Sequence, residues 1–146
     1  MQNLIEYGIN EAICECPNYT MVIETLLEVG DSMEGLKEKC HIVVGVPVKP
    51  MLAKPTKGIR EVLTRFENIL FTCEYKYDGF RGQIHYNRNA VGSEVMIYSR
   101  NLENMTQTYP DVVEFVKESV KEGINNFILD SELVAFDSVN NKILSF

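Results

Sequence analysis

Between Cys40 and Gly58 the chain carries Gly45, Pro47, Pro50 and Pro55 among valines, and no other stretch restricts the possible folds so strongly. Proline has a fixed φ and no backbone N–H, so a helix cannot run through this segment and a central strand is disfavoured. The expected conformation is an extended connector with little freedom. Before it, Leu4, Ile5, Ile9, Ala12 and Ile13, then Val22, Ile23, Leu26, Leu27 and Leu36 recur at three-to-four-residue spacing, the pattern of short amphipathic helices. Pro17, Gly30 and Gly35 punctuate them. A boundary near residue 41 therefore divides an all-α segment, residues 1–40, from a second region, residues 41–146.

Beyond the connector the hydrophobic pattern changes. Ile59, Val62, Leu63 and Phe66 form one helical stripe, which predicts an amphipathic helix over 58–68 packed on the elements C-terminal to it. Phe71 to Tyr77, Phe80 to Tyr86 and Glu94 to Tyr98 are rich in aromatic and β-branched residues, and the polar run Asn87 to Ser93 suits a turn; an antiparallel meander is expected. Pro110 opens a further helix with Val112, Val113, Val116 and Val120 inward, Gly123 closes it, and Phe127 to Phe136 reads as strand. Elements mixed in this way predict an α+β fold. The terminal Ile143-Leu144-Ser145-Phe146 is again apolar and strand-like, as expected either of a chain cut within its fold or of an edge strand.

Composition narrows the function classes. With 45% hydrophobic and 24% charged residues the chain can bury a core, so intrinsic disorder is excluded. No stretch reaches the roughly 20 apolar residues of a membrane span, and the first fifteen residues hold Glu6, Glu11 and Glu15 with no basic start, so neither secretion nor membrane insertion is expected. Four cysteines are too few to staple a chain of this length, which suits free thiols in an intracellular setting. Net charge is −7, unevenly spread: residues 1–40 carry −6, residues 41–100 carry +4 and residues 101–146 carry −5. A positive middle third could meet a phosphate compound, but a solvated surface of uneven charge is the plainer reading, and charge alone does not decide.

The sharpest stretch is Cys73-Glu74-Tyr75-Lys76-Tyr77-Asp78-Gly79-Phe80-Arg81. On a strand, Glu74, Lys76 and Asp78 would share one face, which must then meet water or line a polar cleft, with Tyr75 and Tyr77 behind it. A tight turn at Gly79 would bring Arg81 back toward Lys76. An exposed strand face carrying a cross-strand ion pair worth about 0–1 kcal/mol is the plainer reading of the same residues. His41 and His85 are isolated, and Cys14-x-Cys16 with Cys40-His41 lacks a second close thiol or histidine pair, so core or surface roles are expected rather than zinc.

The residue order adds information that alternation does not. Lys76-Tyr77-Asp78-Gly79-Phe80-Arg81, with Glu74 two residues earlier, matches the nucleotidyl-lysine motif Lys-x-Asp-Gly-x-Arg of covalent nucleotidyltransferases. The run CEYKYDGFRGQIH, the upstream VPVKPMLAKPTKG, the downstream YSRN and the later FILDSELVAFD resemble, in order and spacing, segments of the ATP-dependent DNA ligase family, most of all its eukaryotic replicative members. The resemblance is strong over about residues 41–146 and weaker over 1–40. It implies an antiparallel, ATP-grasp-like nucleotidyltransferase fold for 41–146, the first part of an adenylation domain, preceded by the helical end of a DNA-binding domain in 1–40.

The resemblance also implies roles. Lys76 would be the nucleophile that attacks the α-phosphate of ATP. That step needs an unprotonated amine, whereas a free lysine holds its proton to a pKa of about 10.4, so burial and nearby positive charge, from Arg81 and bound magnesium, would have to assist. Glu74 would accept from the adenine amino group, Arg81 would meet the ribose and phosphate region or the nick, and Arg100 in Ser99-Arg100-Asn101 would meet a phosphate. Glu132 would bind the ribose hydroxyl or assist Mg2+, a metal suited to hard oxygen ligands; Asp130 shares its strand face with less weight. The implied partners are ATP and nicked double-stranded DNA, with a sliding clamp reached through segments outside this chain. The implied setting is nuclear DNA replication, repair and recombination.

The family's catalytic domain extends well past this length, so the chain is expected to be a piece of it, unable to seal nicks by itself. Two alternatives stay open: another covalent nucleotidyltransferase that shares the hexad, either an RNA ligase or an mRNA-capping guanylyltransferase, transfer of labelled GMP rather than AMP selecting capping; and a non-catalytic remnant that binds a partner.

Overall fold

A computed structural model describes residues 2–30, 32–51 and 53–144, with side chains at Glu6 and from Gly8 onward within those ranges. The side chains of Leu4 and Ile5, and the terminal Ser145-Phe146, fall outside them. The architecture is mixed helix and antiparallel sheet, in agreement with the α+β expectation. Two compact units divide the chain: one comprises the chain up to Lys49 with Phe80–Leu133, the other Pro50–Gly79 with the chain from Val134 on. Among the described residues no helix is long and apolar enough to cross a membrane.

In the first unit, α1 (Gln2–Glu15), α2 (Tyr19–Val29) and α3 (Met33–Lys39) match the helical spacing. Asn18 starts α2 by accepting from the Met21 N–H at 3.1 Å, and Ser32 starts α3 by accepting from the Gly35 N–H at 3.2 Å, which supplies partners for N–H groups that a helix start leaves open. Gly30 ends α2 at φ 62°, a left-handed conformation that glycine adopts without a Cβ clash. The helices close on Leu36, which is fully buried with Ala12, Cys16, Val22 and Cys40. Cys16 and Cys40 thus act as small core hydrophobes, and Cys14 is exposed.

The same unit holds a three-stranded sheet of order β2-β1-β3, from β1 (Phe80–Asn87), β2 (Val95–Tyr98) and β3 (Asn126–Leu133), with both pairings antiparallel. Helix α5 (Pro110–Ser119) begins on proline, whose missing N–H costs nothing at a helix start. It lays Val116, with Val112 and Val113, on the face formed by Ile84, Tyr86, Val95, Ile97 and Phe127. Tyr86 stacks on Phe127 at 5.1 Å.

In the second unit, α4 (Ile59–Arg65) is shorter than the expected 58–68, and Glu61 reaches back to the Lys57 N–H at 3.1 Å. Its stripe is not buried: Ile59, Leu63 and Phe66 are exposed. Periodicity marks a face that can be buried, but burial needs an opposing surface, which the described residues of this small unit do not supply. A short antiparallel pair, β4 (Phe136–Asp137) and β5 (Lys142–Ile143), completes it.

One expected strand is absent. Phe71 to Tyr77 forms no strand, because the partner position that the meander gave it is filled: β1 is the central strand, with β2 on one edge and β3 on the other. The alternation of Glu74, Lys76 and Asp78 therefore does not translate into a shared strand face. The strand expected over Phe127 to Phe136 divides into β3 and β4, interrupted at Val134-Ala135.

Candidate active site

The pleat of β1 sends Gly82, Ile84 and Tyr86 toward α5 and Arg81, Gln83 and His85 to the opposite face. On that second face Arg81 stands directly opposite Glu132 of β3, and Gln83 opposite Asp130. Arg81 Nε donates to Asp130 Oδ1 and Nη2 to Oδ2, each at 2.6 Å, a bidentate fork. The hydrogen bond to Asp130, reinforced by the charges of Asp130 and Glu132, holds the arginine's proton more firmly than usual. Arg81 and Glu132, picked out from sequence separately, are thus brought together on neighbouring strands, and Asp130, given less weight, is the residue that grips the arginine.

Arg100 lies in the turn after β2. Ser99 Oγ accepts from the backbone N–H groups of Asn101 and Glu103, both at 3.2 Å, and donates to Glu103 Oε2. The Leu102 N–H closes on the Ser99 carbonyl at 2.9 Å. These bonds fix the turn and leave Arg100 exposed on it.

Glu74 and Lys76 belong to the other unit, in the irregular stretch between α4 and Gly79, and both are exposed. The ring pairs beside them are Phe66 with Phe71 at 5.2 Å and Tyr75 with Tyr77 at 6.4 Å.

His85, expected in a core or surface role, is buried and with Gln83 organises the polar face of the sheet. Gln83 and His85 are buried and hold the connector: Val48 N–H donates to Gln83 Oε1 at 2.7 Å, Gln83 Nε2 donates to the Val48 carbonyl at 3.1 Å, and Gly45 N–H donates to His85 Nδ1 at 2.8 Å. A backbone N–H can only donate, so Nδ1 is the bare nitrogen and the ring proton sits on Nε2, which donates to Gln83 Oε1 at 2.9 Å. Tyr98 stands edge-on to the imidazole and donates to the Gly45 carbonyl at 2.8 Å. Burial lowers the His85 pKa and raises that of Tyr98, so both favour the neutral form that these bonds require. The available signal was the placement of Gln83 and His85 two residues apart between apolar neighbours on a strand, which puts both polar groups on one covered face.

As a metal ligand set, Glu132 is an exposed carboxylate, whereas Asp130 is occupied by Arg81. Among the described residues no group of three or more His, Cys, Asp or Glu side chains could hold an ion. Glu132 alone offers one hard oxygen donor, of the kind that Mg2+ takes together with waters and substrate phosphates.

The model of the ATP-dependent DNA ligase domain family matches residues 50–146. The chain is 45% identical over 145 residues to DNA ligase 1 of Dictyostelium discoideum, covering 99% of this chain and 12% of that protein. It is 46% identical over 140 residues to DNA ligase 1 of Saccharomyces cerevisiae, covering 94% and 18%. A DNA ligase of Sulfolobus acidocaldarius is 45% identical over 103 residues, covering 70% and 16%. The chain thus spans less than a fifth of the length of these curated relatives. The matched range takes in the Lys76–Arg81 hexad, the Arg100 turn and Glu132 together, and the chain belongs to the ATP-dependent DNA ligase domain family.

Proposed function

We propose that this chain is part of an ATP-dependent DNA ligase that seals 3′-hydroxyl/5′-phosphate nicks in double-stranded DNA through a covalent lysyl-AMP on Lys76. The observation that carries the reading is the complete hexad Lys76-Tyr77-Asp78-Gly79-Phe80-Arg81 inside the matched range, in a chain aligned nearly end to end with proteins named DNA ligase 1. On this reading residues 41–146 form the first part of a nucleotidyltransferase adenylation domain, and residues 1–40 the helical end of a DNA-binding domain. The setting is nuclear replication, repair and recombination.

Lys76 Nζ, having lost its proton, forms a bond to the α-phosphorus of ATP as the bond to the bridging oxygen breaks and pyrophosphate leaves. The DNA 5′-phosphate then takes the AMP, the lysine nitrogen regaining a proton, and the 3′-hydroxyl displaces AMP to close the backbone. A lysine suits both steps, because its amine is nucleophilic when neutral and a good leaving group when protonated. Glu74 selects adenine by accepting from its amino group; Arg81 and Arg100 bind phosphate and ribose oxygens. Glu132 meets the ribose hydroxyl or, with the nucleotide's phosphates, holds Mg2+, which supplies charge neutralisation when bound.

The test is incubation of the purified chain with α-labelled ATP and magnesium, followed by denaturing electrophoresis, beside Lys76→Ala and a labelled GTP control. A label that requires Lys76 and prefers ATP is expected. A label from GTP would select a capping-type transferase. A Lys76→Ala chain that labels as well as the original would refute the assignment. Nick joining by the 146-residue chain alone is not expected.

A further inference from the structure

Asp130 lies one pleat along β3 from Glu132, diagonal to Arg81, and both of its oxygens are committed to the arginine. A guanidinium carries its N–H donors in a rigid planar fork. Two parallel bonds at 2.6 Å along one edge therefore fix the plane of the whole group and direct its other donors away from Asp130. The arginine side chain is 24% exposed and the aspartate 58%, so the pair stands at the rim of the polar face, where an anion can reach it. Arg81 itself begins on the central strand of the sheet, where its backbone is paired with Glu132 of β3. Its stem and its head are thus both held before any ligand arrives.

We propose that Asp130 is a positioning residue that presets the Arg81 guanidinium so that its outward N–H groups receive an anionic oxygen of a nucleoside triphosphate. The proposal rests on the reading of Arg81 as a nucleotide contact. A flexible arginine would have to give up its rotamer freedom on binding, whereas one already clamped gives up little. The opposite role has a distinct signature: an aspartate that merely competes with the incoming anion would, once removed, let the nucleotide bind more tightly.

The experiment measures ATP affinity of the 146-residue chain by titration calorimetry for the original sequence, Asp130→Asn, Asp130→Glu, Arg81→Lys and the double variant Arg81→Lys/Asp130→Asn. In parallel, the Arg81 Nε–H resonance is followed by 15N NMR, with Arg81→Lys giving the assignment. Asparagine keeps the shape but offers one acceptor oxygen, so Asp130→Asn should weaken ATP binding by about five- to tenfold and broaden the resonance. Asp130→Glu, which restores two acceptor oxygens, should recover most of the affinity. In the Arg81→Lys background Asp130→Asn should change nothing further, because coupled residues are not additive. Unchanged or tighter binding by Asp130→Asn, or the same loss in the Arg81→Lys background, overturns the positioning role while leaving the ligase reading intact. No ATP binding by the original chain overturns both.

Discussion

The hexad Lys76–Arg81 crosses from one kind of structure into another. Phe80 and Arg81 open β1, whose next five residues are buried and whose backbone is paired on both edges. Lys76, Tyr77 and Asp78, a few residues earlier, are exposed and belong to no strand. Both stretches alternate polar and non-polar or aromatic residues, so alternation did not create the difference. It came from what each stretch meets: β1 has α5 on one face and the Gly45–Val48 connector, held by Gln83, His85 and Tyr98, on the other. A strand is stable only with a ladder partner and a covered face. The frame residue Arg81 is therefore fixed by the packed sheet, and the proposed nucleophile lies where local burial contributes least.

The contrast predicts unequal costs. Ile97, 1% exposed beneath α5, should lose about 2–5 kcal/mol on Ile97→Ala, whereas Tyr75→Ala, at a site 89% exposed, should stay within about 0.5 kcal/mol. Urea unfolding of the two variants measures both, and equal losses would break the comparison.

Next in size is the connector. Gln83→Leu strips partners from the Val48 N–H and carbonyl and from His85 Nε2–H, and should cost about 1–3 kcal/mol in the same assay. A change under a few tenths would mean that water replaces the amide without loss.

Acid should act at the same place. Burial holds the His85 pKa below its ordinary 6.5, so on acidification the unfolded chain takes up this proton first. The contribution of neutral His85 is complete above about pH 6.5, declines as pH falls through that value, and levels off below the lowered folded pKa. Urea midpoints should fall between about pH 7.5 and 5.5, and His85→Phe should remove that part of the slope.

A smaller effect than at the connector belongs to the partly exposed Arg81–Asp130 pair. Asp130→Asn should shift unfolding stability by no more than about 1 kcal/mol, read from the same midpoints. A loss several times larger would make the pair a structural element of the sheet.

These outcomes also bear on what a sequence can tell. The helices α1 to α3, the β1–β2 hairpin and α5 were legible because each carries its own period and its own punctuation: Pro17, Gly30, the polar run Asn87 to Ser93, and Pro110. Arg81 and Glu132 were legible as motif residues, but their register across β1 and β3 was not, since Arg81 stands 49 residues before Asp130 and 51 before Glu132 and no local pattern encodes long-range pairing. That pairing also removed the strand expected over Phe71 to Tyr77, because it took the free edge of β1. The part that Gln83 and His85 play in holding the connector was not legible for a related reason: their partners are backbone groups of Gly45 and Val48, which no side-chain pattern announces.

The most direct test of the central claim is to locate the bond itself. After incubation with ATP and magnesium, the chain is digested and its peptides are mapped by mass spectrometry, with and without later addition of pyrophosphate. The account predicts one AMP on the peptide containing Lys76, absent in Lys76→Ala and removed by pyrophosphate. An AMP on another lysine, such as Lys54 or Lys57, or an adduct that persists in Lys76→Ala, would contradict it.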